Sequence, residues 1–335
     1  MRKNCSSVLV PGAPSIPGLT FRRFRGESDY YSIISVIEKS RNIDQVEMTA
    51  TVEDVARAYE HLVNCDPYED MIFAEVQDSV IGYARVWWQE EPDGTRSYFV
   101  FVPLLPEWRG KGIRRALLQY SENRLREIAS HHPVSGSRFF EARAEDTEVH
   151  WQELLKSEGY TPARYFFRMI RSLNESITEI SLPEGIEIRA VGREYWKVWR
   201  AAQEAFRDSF GASEISDERL EEWIESPTFD PDLWVVAWDK AEVVGMVLSF
   251  IDEKENEEYG RKRGIMKLVA VRRPYRGKGL ARALIGRSLR TLKECGMSEV
   301  ILSVDTEELT GALKLYESMG FKMIKQFFIY RKNLS

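Results

Sequence analysis

The chain has 335 residues, of which 43% are hydrophobic and 30% are charged, a balance typical of globular proteins. No run of about 18 apolar residues occurs, which excludes a membrane-spanning helix, and a net charge of −6 argues against a general nucleic-acid binder. The length corresponds to about two domains of ordinary size.

The N-terminal half is predicted to hold a flexible leader and a first domain. Residues 1–18 have prolines at 11, 14 and 17 and form the leader, and the domain covers residues 19–173. Its predicted elements are a strand at 19–24, helices at 30–40 and 51–63, strands at 73–76 and 80–86, a helix at 112–131 and a strand at 165–170.

A linker is predicted at residues 174–185, followed by a second domain at 186–335. Its predicted elements are a strand at 186–190, helices at 194–206 and 217–224, strands at 234–238, 243–248 and 265–271, a helix at 279–296, a strand at 299–304, a helix at 311–319 and a strand at 326–330.

A glycine-rich turn, Arg276-Gly277-Lys278-Gly279-Leu280-Ala281, joins a predicted strand to a predicted helix. Glycine permits a positive φ or a close approach of the backbone to a ligand. The first turn of a helix offers N–H groups without intrahelical partners and the positive end of the helix dipole, which favours an anion such as a diphosphate. The motif is neither a Walker A loop nor the dinucleotide fingerprint. Taken alone, it could also be an ordinary turn with two solvated bases.

The same turn occurs earlier, as Arg109-Gly110-Lys111-Gly112-Ile113-Arg114, 167 residues before the second copy. Strand-like segments precede both copies, and a helix ending in Gly-Tyr or Gly-Phe follows both. The later glycines, Gly159 and Gly320, are 161 residues apart. Such a period indicates a duplicated domain, because solenoid repeats span only about 20–50 residues.

With the downstream segment Leu315-Tyr316-Glu317-Ser318-Met319-Gly320-Phe321, the sequence resembles the GCN5-related N-acetyltransferase (GNAT) superfamily. The pattern of that family is Arg/Gln-x-x-Gly-x-Gly/Ala after a strand and, later, Leu-Tyr-x-x-x-Gly-Phe. The arrangement is similar to that of tandem acetyltransferases of the mycothiol synthase type. The resemblance implies an α/β (α+β) fold of two tandem GNAT-like domains, each a mixed, mostly antiparallel sheet flanked by helices.

The resemblance also implies an enzyme that moves acetyl from acetyl-CoA to the primary amine of a small molecule. Tyr316 matches the family's general acid. The strand before the turn would pair with the pantetheine arm, and the turn would hold the pyrophosphate. The implied cofactor contacts in the second domain are Leu268, Val269, Ala270, Val271, Arg276, Gly277, Lys278, Gly279, Leu280 and Ala281. Those in the first domain are Arg109, Gly110, Lys111, Gly112 and Ile113.

The general base and the acceptor are left open. The strand at 264–271 has no carboxylate, and the acids at 252–258 are interpreted as a solvated charge run. Glu204 and Asp208 would lie on the acceptor side if the family's layout holds. Candidates to line the acceptor pocket are Trp196, Trp199 and Trp223, and Glu308 stands where related tandem proteins often have a cofactor-contacting Asn.

The first domain departs from the family pattern at two positions. Arg114 stands where the family has Gly or Ala, and it could swing outward or block the site. Leu155 stands at the tyrosine position, and leucine cannot donate a proton. The first domain is therefore predicted to be catalytically degenerate, either binding acyl-CoA without turnover or serving as a scaffold. For the whole chain, a non-catalytic acyl-CoA sensor or scaffold is the alternative.

Partners and location follow from composition. Cys5, Cys65 and Cys295 are scattered and form no Cys-x-x-Cys pair, which fits a reducing cytoplasm. The four histidines form no ligand-spaced cluster with cysteine, so no metal is expected. No nucleic-acid or membrane partner is expected, and the chain is predicted to be a monomer or a homodimer.

Overall fold

The computed structural model describes residues 7–47, 49, 51–206, 217–306 and 311–334, which form two compact units. The first unit runs to Ala163 and includes the C-terminal residues from Phe328 onward, and the second unit is Arg164–Phe327. This division differs from the predicted boundaries at 173 and 186. The C-terminal residues belong to the first unit because Tyr330 and Leu334 are buried in its hydrophobic core.

The first unit is a sheet in the order β1-β2-β3-β4-β5, flanked by helices. All neighbouring strands are antiparallel except β4 and β5, which are parallel. Its elements are β1 (Leu19–Arg22), α1 (Tyr30–Asp44), α2 (Val52–Glu60), α3 (Pro67–Asp70), β2 (Met71–Val76), β3 (Ser79–Glu90), β4 (Arg96–Phe101), α4 (Ile113–Ser130), β5 (Arg138–Glu145), α5 (Val149–Ser157) and the start of β6 (Thr161–Ser172).

The second unit repeats this plan, with the sheet order β6-β11-β10-β9-β8-β7 and one parallel pair, β10 and β11. Its elements are the rest of β6, β7 (Ile186–Ile188), α6 (Tyr195–Phe206), α7 (Asp217–Glu225), β8 (Val235–Asp239), β9 (Glu242–Ile251), α8 (Glu253–Glu258), β10 (Arg263–Val271), α9 (Leu280–Glu294), β11 (Glu299–Asp305), α10 (Ala312–Ser318) and the start of β12 (Lys322–Asn333). The predicted mixed sheet flanked by helices is confirmed.

Local sequence signals explain where several helices begin. Helix α2 starts with a capping box, in which Thr51 Oγ1 accepts from the Asp54 N–H at 3.2 Å and Asp54 Oδ2 accepts from the Thr51 N–H at 3.0 Å. Helices α4 and α9 each start at a left-handed glycine, Gly112 and Gly279. The two glycine turns therefore end at equivalent points, directly before a long helix.

Two segments expected to be irregular pack against their own units. In the predicted flexible leader, Val10 is only 4% exposed and lies in the first unit's core. In the predicted linker, the Ile180 carbonyl accepts from Arg287 Nη1 on α9 at 3.0 Å. Burial of apolar side chains against the core is favourable, and this explains why neither segment extends away from its unit.

Candidate functional site

In the second unit, β10 and β11 separate at the end that carries the glycine turn. Their parallel pairing runs from Arg263–Glu299 to Met266–Leu302. Both strands continue beyond this point, β10 to Val271 and β11 to Asp305, and every residue of both strands is among those described. The result is a gap, open at the carboxyl ends of the two strands, between Lys267–Val271 and Ser303–Asp305.

A β-bulge lies where the gap begins. The pairing of β10 with β9 shifts between Met266 and Leu268, which leaves Lys267 as the extra residue. A bulge bends its strand and increases the local twist, so it helps to turn β10 away from β11. In the first unit, the pairing of β3 with β4 runs from Arg85–Phe101 to Glu90–Arg96 without a shift.

Beyond the bulge, the backbone of β10 alternates between β9 and the gap. The Arg272 N–H donates to the Val244 carbonyl across the antiparallel pair at 3.0 Å. Because facing residues alternate in such a ladder, Leu268 and Ala270 also turn their backbone groups toward β9. Val269 turns its N–H and carbonyl toward the gap. Among the predicted pantetheine-pairing residues, Leu268 and Ala270 can therefore contact a ligand in the gap only through their side chains.

The glycine turn that ends β10 has a backbone adapted to a close approach. Gly277 and Gly279 have φ values of +75° and +80°, and an added Cβ on either would have no heavy atom within 4 Å. Free space therefore surrounds both glycines, next in sequence to the first N–H groups of α9. Leu280 is buried in the core, so its possible contribution to an anion site is its backbone N–H.

The two basic residues of the turn have different surroundings. Arg276 turns back toward its own unit, with Nε donating to the Val271 carbonyl at 2.9 Å and Nη2 donating to the Ala205 carbonyl at 3.0 Å. It thus braces the turn against the end of α6. Lys278 is exposed, with Nζ 5.6 Å from the centre of the Tyr275 ring. Ala281, in the first turn of α9, adds only a methyl group beside the opening.

Tyr316 lies on α10, whose residues contact β11. Its side chain is 6% exposed, and its ring meets that of Phe321 edge-on, with the ring centres 5.8 Å apart. Phe321 also donates its N–H to the Tyr316 carbonyl at 3.0 Å. The Gly-Phe that ends the motif thus fixes the orientation of the helix that carries the tyrosine.

Two acidic side chains near the turn have cationic partners. Glu204 on α6 accepts from Arg272, with Oε2 2.9 Å from Nη2, and this hydrogen-bonded pairing raises the pKa of Arg272. Asp305 at the end of β11 pairs with Arg164, with Nε–Oδ2 at 2.9 Å. Asp208 and Glu308 lie outside the described residues.

Aromatic side chains cluster beside the bulge. Trp223 on α7 meets Trp199 on α6 and Phe250 on β9, with ring centres 4.9 and 5.3 Å away. The exposed Lys267 places Nζ 4.6 Å from the Trp223 ring centre. Two of the three predicted acceptor-side tryptophans, Trp199 and Trp223, are thus brought together. Lys267 was missed, because nothing in the sequence marks it as a bulge.

The first unit has the same turn with a different anchor. Gly110 and Gly112 have φ values of +73° and +84°. Arg109 makes a bidentate pair with Asp44 at the end of α1, both N–O distances being 2.6 Å, and the two side chains are only 9% and 12% exposed. Lys111 is exposed over the Trp108 ring, and Ile113 is buried. Sequence reasoning missed Asp44, which lies 65 residues before Arg109.

We predict that Asp44→Asn destabilises the first unit by about 3–5 kcal/mol, because it leaves the buried Arg109 charge without its partner. Urea unfolding gives the change, and hydrogen exchange in α1 assigns it to this unit. The control is Glu194→Gln, which breaks an exposed pair with Lys197 (side chains 50% and 56% exposed) and should cost less than about 1 kcal/mol. Equal losses in the two variants would contradict a stabilising role for the buried pair.

Two further observations concern ligands and membranes. Among the helices formed by the described residues, none has the length and apolar content to cross a membrane. Within the same part of the chain, no group of three or more His, Cys, Asp and Glu side chains is arranged to hold a metal ion.

Comparison with known proteins gives matches in both halves. Residues 38–134 and 195–321 match the family model described as the acetyltransferase (GNAT) family. The mycothiol acetyltransferase of Geodermatophilus obscurus is 29% identical over 258 residues, which cover 75% of this chain and 78% of that protein. The relative is therefore similar over most of both chains.

Solved structures match over nearly the whole chain. A GCN5-related N-acetyltransferase from Sphaerobacter thermophilus has a TM-score of 0.71 and 26% identity, with 94% of this chain and 95% of that chain covered. A tandem GNAT protein from the clavulanic acid biosynthesis pathway has a TM-score of 0.67 and 13% identity, with 94% and 98% covered. The second likeness concerns the fold alone.

Proposed function

Because the chain belongs to the GNAT family of acetyltransferases, we propose that its second unit transfers an acetyl group from acetyl-CoA to the primary amine of a small molecule. The observation that carries the proposal is the gap between β10 and β11, which ends at the glycine turn and the start of α9. An extended arm with a diphosphate at one end matches this combination of a free strand edge and an anion-favouring helix end.

The residues present fit such a co-substrate. Val269 turns its carbonyl toward the gap, where it can accept from an amide N–H of the arm, and its N–H stays available for the thioester end. The open faces of Gly277 and Gly279 leave room for phosphates at the first N–H groups of α9. Lys278 supplies positive charge at the edge, whereas Arg276 acts mainly by bracing the turn.

Bound acetyl-CoA supplies the acyl group as a thioester. As the amine nitrogen bonds to the carbonyl carbon and the C–S bond breaks, the Val269 N–H is the proposed donor to the oxygen on which charge develops. Tyr316 is the proposed general acid that protonates the leaving sulfur. The proton lost by the amine goes to water. Holding both reactants in this gap supplies much of the rate acceleration.

In the proposed reaction, no carboxylate of the protein takes the proton from the amine. We predict that Glu204→Gln changes turnover by less than about threefold, since the side chain already pairs with Arg272 and forms no part of the gap. Steady-state turnover at saturating co-substrate and amine tests this. A loss of about a hundredfold, together with the loss of the acidic limb of the pH–rate profile, would instead identify Glu204 as the base.

A small-molecule acceptor is supported by the relatives named mycothiol acetyltransferase. Their identity to this chain, at 29% and 27%, is too low to transfer their acceptor, so the proposal stops at a primary amine. Location in the cytoplasm and the oligomeric state, monomer or homodimer, remain predictions.

The test is release of free CoA thiol by the purified full chain, with acetyl-CoA and a panel of primary amines that includes the acceptor of a mycothiol acetyltransferase. We expect thiol release that depends on both substrates and an acetylated amine detected by mass spectrometry. Tight binding of acetyl-CoA with no turnover across the panel would favour the alternative, a non-catalytic acyl-CoA sensor or scaffold. Absence of binding would contradict both functions.

A further inference from the structure

In the first unit, an arginine side chain fills the place that corresponds to the gap. Arg114 lies in the first turn of α4, and its Nε donates to the Val102 carbonyl, just beyond β4, at 2.7 Å. The guanidinium carbon lies 4.0 Å from the centre of the Trp151 ring on α5. The side chain therefore reaches inward rather than outward.

The same contacts continue to β5. Trp151 Nε1 donates to the Arg143 carbonyl on β5 at 3.0 Å. Pairing of β4 with β5 ends at Phe99–Glu141, so Arg114 and Trp151 together bridge the two strands beyond the point where they separate. The bridge closes the region that stays open between β10 and β11.

The bridge is charged and buried. Burial lowers the pKa of Arg114 to about 10, and the charge of Glu148, whose Oε1 lies 3.9 Å from Nη2, opposes this effect. The guanidinium is therefore still protonated at neutral pH. A buried cation that already has a carbonyl acceptor and an indole face is costly to displace.

The two repeats differ at the positions that form the bridge. Arg114 corresponds to Ala281 by the 167-residue offset, and Trp151 corresponds to Ala312 by the 161-residue offset. The acceptor carbonyl, that of Val102, corresponds to that of Val269, which faces the gap in the second unit. Two methyl groups in the second unit thus stand where a guanidinium and an indole fill the first.

The N-terminal segment covers part of the first turn as well. A Cβ built on Gly112 would lie 3.7 Å from Pro14 Cβ, whereas one built on Gly279 would have nothing within 4 Å. Pro14 is held there because Val10 is anchored in the core and the Val8 N–H donates to the Phe21 carbonyl at 2.8 Å. The anion-favouring face of α4 is therefore less accessible than that of α9.

A cavity remains beside the first turn, with a volume of about 320 Å³. This is the lower end of the range of roughly 300–1,000 Å³ for small-molecule sites, and Arg114 forms one of its walls. Its lining residues are Arg109, Gly110, Gly112, Arg114, Arg115, His150, Glu153, Leu154 and Ser157. Three of these residues are arginines, and each of them already pairs with a carboxylate of the first unit.

We propose that each chain binds one acyl-CoA, in its second unit, and that Arg114 and Trp151 of the first unit occupy the position of the pantetheine arm. The first unit is then a scaffold whose strand separation is closed by its own side chains and needs no co-substrate. This inference rests on the proposed function for the identity of the ligand. It adds the number of acyl-CoA molecules that each chain binds and the residues that limit this number to one.

The first test counts sites in the wild-type full chain, by native mass spectrometry and calorimetric titration with acetyl-CoA. One molecule per chain is expected. Two per chain would overturn the inference and leave the proposed function intact, whereas none would contradict the proposed function itself. Hydrogen exchange on the same samples is expected to show protection at residues 269–284 and no change at residues 102–117.

The second test introduces into the second unit the arginine that fills the corresponding place in the first unit. Ala281→Arg places a guanidinium at the opening of the second gap and is expected to raise the Kd for acetyl-CoA by about a hundredfold or more. Glu294→Arg is the matched control, because it places the same guanidinium at the exposed far end of α9, and it should leave the Kd within about threefold. Circular dichroism checks that both variants are folded. A single site that survives Ala281→Arg unchanged would have to lie in the first unit, which would overturn the inference.

Discussion

Tyr316→Phe is expected to lower turnover by about a hundredfold or more while leaving the Kd for acetyl-CoA unchanged. General acid catalysis contributes roughly 10²–10⁴-fold, and the substitution removes the hydroxyl that we propose protonates the leaving sulfur. The ring is buried and meets Phe321 edge-on, so phenylalanine keeps the apolar packing. Turnover is measured at saturating amine and acetyl-CoA, and the Kd by calorimetry.

The control for Tyr316→Phe is Tyr330→Phe, which also removes a buried hydroxyl. Tyr330 donates to Gln152 Oε1 at 3.1 Å in the core of the first unit, whereas the proposed site belongs to the second unit. This variant should lose some stability and keep its turnover. The alkaline limb of the pH–rate profile should disappear only in Tyr316→Phe. If turnover of that variant falls less than about threefold, another group protonates the sulfur.

The repeat made much of the architecture predictable. Two copies of one turn at a fixed offset indicated two similar units, and alternating apolar segments before each turn indicated the strands. Both parallel pairs are connected by the helix that follows the turn, as such pairs require. These features depend on residues close together in sequence, where period and turn chemistry are decisive.

What the sequence did not reveal depends on contacts between distant residues. The extra residue Lys267 is visible only through its pairing with β9. The sequence predicts that Arg109 contacts a ligand, whereas the structure pairs it with Asp44, 65 residues earlier. The Arg114 side chain points inward because it packs against Trp151. No local sequence pattern connects these two residues.

The N-terminal segment, which was expected to be a flexible leader, also makes contacts that its sequence does not reveal. Its prolines indicate an irregular backbone, and the backbone is irregular, but Val10 is buried. Burial of one apolar side chain contributes about 1.5–3 kcal/mol, which can hold a short segment that has no regular structure. A lack of secondary structure therefore did not mean a lack of packing.

Gly279→Val is expected to raise the Kd for acetyl-CoA by about a hundredfold or more, and Gly112→Val is expected to leave it unchanged. Both glycines have a positive φ, so each substitution introduces similar backbone strain, about 1–3 kcal/mol. In the second unit the new side chain would occupy the free space at the start of α9, where we propose that phosphates bind. In the first unit its Cβ would lie at ordinary contact distance from Pro14.

The glycine pair separates strain from binding, because the two variants share the first effect and differ only in the second. Urea unfolding measures the strain in each, and calorimetric titration with acetyl-CoA measures the Kd. Similar losses of stability with a change in Kd confined to Gly279→Val would assign the phosphates to the second turn. Equal increases in Kd would mean that both turns bind phosphates, and an increase confined to Gly112→Val would reverse the assignment of the two units.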